Sequence, residues 1–134
     1  MSILGVLSFL PVHAADPKSE MTEERAFELS EEFGIEVGEV DEEIREALGL
    51  TKAEGVVVFE VIGSTPADLA GVKARSLIKE VSGKEIKTIL DLGRALEVAM
   101  PTQNFSVATY EPAGFDDQGV SGGLNFHFVR VLKD

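Results

Sequence analysis

Apolar residues recur along this chain with two different periods, and the places where one period gives way to the other mark its elements. Ala26, Leu29 and Phe33 fall at helical spacing behind Thr22 and predict a helix from Thr22 to about Glu32. From Gly34 to Val40 apolar and polar residues alternate, as they do in a half-buried strand. Asp41 then caps a second helix, with Ile44, Ala47 and Leu48 on one side and Gly49 as its stop. Val56 to Ile62 is an apolar run broken only by Glu60. It is long enough for a strand and short for a helix, so it predicts a strand buried on both faces.

Ser64-Thr65-Pro66-Ala67-Asp68-Leu69-Ala70-Gly71 follows that run. It supplies a hydroxyl cap, a proline at the first helical position, an acid in the first turn and a glycine just past the end, which predicts a helix of one or two turns. Leu77 to Val81 reads as a strand, Ser82-Gly83-Lys84 as a turn and Glu85-Ile86 as a short return strand. Thr88 with Asp91 is a helix-start signature, and Ile89, Leu92, Leu96 and Met100 follow at helical intervals until Pro101. Phe105 to Tyr110 and Leu124 to Leu132 alternate as strands around a glycine- and acid-rich loop. In Phe126-His127-Phe128, two phenylalanines facing inward would leave His127 on the solvent face.

The strand-SxPAxxAG-strand order, here a GVVVFEV strand running into STPADLAG, resembles a PDZ domain of the bacterial HtrA/Deg protease type over residues 33 to 132. The resemblance implies an α+β fold, PDZ-like and of the circularly permuted bacterial type. That is a small, partly open β-barrel or sandwich with a main groove helix, one short helix and, here, an extra N-terminal helix. It implies a domain from 33 to 134 without a protease domain, preceded by a linker and helix over 15–32. The chain departs from the family at Ala74-Arg75-Ser76, where a proline-glycine-aspartate turn is usual, and its 111–123 loop is longer than the usual hairpin.

In that family a short hydrophobic-glycine-hydrophobic loop presents backbone N–H groups to the terminal carboxylate of a peptide. Phe33-Gly34-Ile35 matches it, and glycine suits a nest of amides that an anion must approach closely. The resemblance then implies that Phe33, Ile35 and Val37 line the pocket for the last ligand side chain. The peptide would add as a strand beside Ile35 to Val40, against Ile89, Gly93 and Leu96 of the main helix. On this reading Gly93, which costs a helix roughly 1 kcal/mol relative to alanine, leaves space for a bulky apolar ligand residue. The same residues would also serve as plain core, because any amphipathic helix packed on a sheet needs them. The implied partners are protein or peptide C-termini that end in apolar residues. The alternative is a structural or scaffolding domain, a partner or relic of an HtrA/Deg-type protease, with its groove occluded by its own N-terminal helix or long loop.

Composition narrows the rest. The 134 residues suit one domain, and 24 acidic against 12 basic residues give a net charge of −12, which disfavours nucleic acid as a partner. The acid is concentrated: Glu20 to Glu46 holds twelve carboxylates against Arg25 and Arg45, most of which a solvated helical face explains. The absence of cysteine excludes disulfides and thiolate metal sites. Residues 1–14 carry no charge and end in small residues at Val12-His13-Ala14. They read as a secretory signal peptide, far short of the ~20 apolar residues of a membrane span, so a periplasmic or secreted protein with no stable span after cleavage is expected. Gly119-Val120-Ser121-Gly122-Gly123 fits the nucleophile-elbow pattern but stands in a loop leading to a strand, with no evident histidine base. Asp116-Asp117 lacks the spaced oxygen ligands of a calcium loop. A non-enzyme without metal or cofactor is therefore expected.

Overall fold

The computed structural model of the protein describes residues 20–112 and 123–132. The signal-peptide reading of 1–14 and the readings of Asp116-Asp117 and Ser121 fall outside these residues.

Helix α1 (Glu23–Phe33) starts at Thr22, whose hydroxyl accepts from the Arg25 N–H at 3.1 Å, and runs directly into strand β1 (Ile35–Glu39) through Gly34. Helix α2 (Glu42–Leu48) is capped by Asp41 and stopped by Gly49 in the left-handed region. Strand β2 (Val56–Val61), helix α3 (Pro66–Ala70), strands β3 (Leu77–Val81) and β4 (Lys84–Glu85), and helix α4 (Ile89–Ala99) follow. A short 3-10 turn at Met100–Thr102 leads to strands β5 (Asn104–Glu111) and β6 (Gly123–Arg130).

The strands form one antiparallel sheet in the order β1-β2-β3-β5-β6, with β4 paired to β3, so β1 and β6 are its edges. Strand β2 is buried on both faces only over Val56 to Val58; against the expectation from its apolar run, Phe59 and Glu60 are exposed and Val61 is half-buried. Val56 and Val58 enter the main core with α1 and α4, whereas Val57 enters a smaller one with Leu48 of α2 and Leu77. The main core joins Phe33, Ile35, Ile78, Leu92, Leu96 and Val107, all fully buried. Its apolar area removed from water is the leading source of stability, at about 1.5–3 kcal/mol per large side chain.

The turn at Ala74-Arg75-Ser76 forms without its glycine. Arg75 takes φ 72° and donates its N–H to the Val58 carbonyl at 2.7 Å, while the Ser76 carbonyl accepts from the Val58 N–H at 2.8 Å. The Ser76 hydroxyl ties the turn by donating to the Lys73 carbonyl at 2.6 Å.

Strand β6 corrects one expectation. His127 faces inward and is buried, whereas Phe126 and Phe128 point to solvent. Register decides this: His127 lies opposite Val107 and shares its inner face with Val129. The imidazole can occupy that face because Nε2 lies 2.9 Å from the Thr109 hydroxyl and Nδ1 lies 3.2 Å from the Ala70 carbonyl. A buried polar group with partners at both nitrogens avoids the desolvation penalty of an unpaired one.

Candidate functional site

The residues singled out by the sequence meet at one seam, where edge strand β1 faces α4. A capping box starts α4: the Thr88 hydroxyl accepts from the Asp91 N–H, and the Asp91 carboxylate accepts from the Thr88 N–H. A carboxylate from β1 adds to it, since Glu39 Oε2 accepts from the Ile89 N–H at 2.8 Å and ties the end of the strand to the start of the helix. Negative charge at a helix N-terminus is favourable, and the bond satisfies one of the four orphan donors there. The sequence pattern shows Glu39 as one of the acids beside the proposed groove and does not signal its bond to the start of α4.

Ile35 and Val37 alternate inward from β1, and Ile89, Gly93 and Leu96 turn inward from α4. Together with Phe33 and Gly34, all seven are buried. The seam is not an open trough, because α1 lies over it. Ala26, Leu29, Ser30 and Phe33 form the buried stripe of α1, and they join the same core as β1 and α4. Phe33 reaches the far end of α4, where its ring lies 5.9 Å from that of Phe105.

Gly93 packs closely against α1 and the residue before its cap. A Cβ there would stand 2.6 Å from the Ala26 Cβ, 2.8 Å from the Met21 sulfur and 2.9 Å from the Ala26 Cα. The space left by the missing side chain is thus taken by the chain's own helix. Even an alanine at this position would require α1 to shift. Nothing in the local pattern signals this partner, because Ala26 and Gly93 are 67 residues apart.

At the other end of the seam Gly34 takes φ 120°, a conformation that side-chain-bearing residues rarely adopt. Its N–H donates to the Ser30 carbonyl at 2.8 Å, closing the last turn of α1. Its carbonyl accepts from the Ile62 N–H at 2.8 Å, and Thr65, the cap of α3, packs directly on its Cα. The loop amide proposed for a carboxylate therefore faces an oxygen already, the carbonyl at the negative end of α1.

No family model matches the chain. It is 29% identical over 78 residues to a protein of Rhizobium meliloti named a probable periplasmic serine endoprotease, DegP-like, which takes in 58% of this chain and 16% of that protein. A protein of the same name from Bartonella henselae is 23% identical over 108 residues, or 81% of this chain and 21% of that one. The chain therefore spans 16% and 21% of the length of these two relatives. Among solved structures, an HtrA-type protease, AlgW, with a decapeptide superposes with a TM-score of 0.54 at 23% identity, covering 76% of this chain and 29% of that one. The mixed helix-and-strand fold with its open antiparallel sheet is that of the PDZ domains of HtrA-type proteases.

Proposed function

We propose that this chain is a non-catalytic, PDZ-like peptide-recognition module that takes up the C-terminal or extended end of an apolar polypeptide along β1, in the place its own α1 occupies. The observation that carries this reading is the seam itself. An edge strand, a facing helix and a positive-φ glycine loop converge, and the segment filling them offers mainly apolar side chains and one carbonyl, its buried Ser30 hydroxyl being bonded within α1 to the Ala26 carbonyl. Each of those is replaceable by a peptide: its apolar end for Met21, Ala26 and Leu29, and its terminal carboxylate for the Ser30 carbonyl. The likeness in fold to a protease described with a decapeptide supports the reading. The word "periplasmic" in the relatives' names supports export, with residues 1–14 as the leader. Basic residues upstream in the ligand would meet the exposed Glu31, Glu32 and Glu36, each such contact contributing about 1 kcal/mol or less and weakening with salt.

A second reading, a scaffolding domain with a permanently filled seam, draws on the tightness of the Ala26–Gly93 contact. Titration of the full chain with peptides ending in an apolar residue separates the two. Free-carboxylate peptides should bind, and their C-terminally amidated twins should bind about ten- to a hundredfold more weakly, the range of a charge-assisted hydrogen bond worth about 1.5–3 kcal/mol. Equal binding of both forms contradicts carboxylate capture, and no binding by any peptide favours the scaffold.

A further inference from the structure

The outer face of β6 carries Leu124, Phe126 and Phe128 in strict alternation, 60%, 63% and 82% exposed. Their neighbours across the sheet explain why the two rings stand free. Phe126 lies opposite Ala108 and Phe128 opposite Ser106, residues too small to cover them. Helix α2 covers the same sheet face only from Val57 and Leu77 as far as Tyr110. Helix α3 flanks β6 from the other side, and its Leu69, 68% exposed, lines a shallow pocket with Phe128 and Leu132, itself 70% exposed.

We propose that this face is a self-association surface, and that a second copy of the chain occupies it across a two-fold axis. Three observations select a copy over another partner. The patch is apolar throughout and so suits its own copy, because the exposed rings of Phe126 and Phe128 in one chain can pack on the exposed Leu69, Leu124 and Leu132 of the other. Its charge permits the meeting: β6 has a single charged side chain, Arg130, while the twelve carboxylates of Glu20 to Glu46 lie on α1, β1, α2 and their flanks. A partner drawn by the chain's negative charge would dock on those elements instead. The area is also of the right order. At roughly 200 Å² per phenylalanine the two rings expose about 300 Å², and the three leucines bring the patch to about 600 Å². That is the upper end of what monomers leave uncovered and approaches the ~800 Å² per partner of a standard interface. The inference does not depend on the peptide reading, since β6 is the opposite edge of the sheet from β1.

Sedimentation velocity on the full chain over a range of concentrations tests it. The wild type should pass from monomer to dimer with a dissociation constant in the micromolar range. The Phe126→Ser/Phe128→Ser double variant and, independently, Leu124→Lys should raise that constant at least about tenfold, with thermal melting of the dilute monomer unchanged. Wild-type protein that stays monomeric at every concentration reached overturns the proposal. A dimer that both variants leave intact overturns it equally.

Discussion

Replacing Gly34 with alanine is expected to lower the stability of the fold by about 3–5 kcal/mol, a large part of the roughly 5–15 kcal/mol typical of such domains. Two effects add. The backbone at φ 120° is strained for any residue with a side chain, at about 1–3 kcal/mol. The new methyl group would also fall inside the hydroxyl and Cβ of Thr65. Thr65 has little freedom to retreat. Its hydroxyl donates to the Ile62 carbonyl at 2.7 Å and accepts from the Asp68 N–H at 3.3 Å as the cap of α3. The Ile62 N–H is in turn bonded to Gly34. Urea denaturation measures the change, and Thr65→Gly in the same background should recover part of it, since contacting residues are not additive. A loss below about 1 kcal/mol for Gly34→Ala would contradict the close approach of loop and helix cap.

Leu29→Ala is expected to move stability and binding in opposite directions. Leu29 is buried and belongs to the stripe that α1 lays over the seam. Its truncation should destabilise the protein by about 2–4 kcal/mol, within the usual range for leucine in a core. A peptide that replaces α1, however, must first displace Met21 and Leu29, at about 1.5–3 kcal/mol each. With a closed state favoured by about 4 kcal/mol, apparent affinity is lowered roughly a thousandfold, and weakening the occupant restores part of it. Leu29→Ala should therefore melt at lower temperature and yet bind apolar C-terminal peptides about ten- to a hundredfold more tightly. A variant that melts lower and binds no better would mean that α1 is structural and the seam belongs to it permanently.

Most elements were legible because their signals are local. The cap, proline, acid and glycine of α3 sit within eight residues, and the capping box of α4 spans four. Ser82 and Gly83, both at positive φ, make the tight turn before β4 that their sequence announces. The seven seam residues were named through the family pattern, and all seven are buried. Their covering was not legible, because the apolar spacing of Ala26, Leu29 and Phe33 says that α1 has a buried face and not what lies beneath it. Gly93 illustrates the ambiguity: a missing side chain makes room, and its own helix neighbour fills that room as well as a ligand would. The face of β6 was misread for a different reason. Burying two phenylalanines is the better choice by transfer free energy alone, but the register with β5 and the two partners of His127 outweigh it.

The claim on which the functional account turns is that a peptide enters the seam as α1 leaves it. Amide hydrogen exchange of the full chain, with and without saturating free-carboxylate peptide, reads both halves of that exchange at once. The account predicts slower exchange over Ile35 to Glu39, where a strand would be added, together with faster exchange over Ala26 to Phe33, where the helix would be released. Protection of α1 that survives peptide saturation, or a strand β1 that no peptide slows, would contradict it.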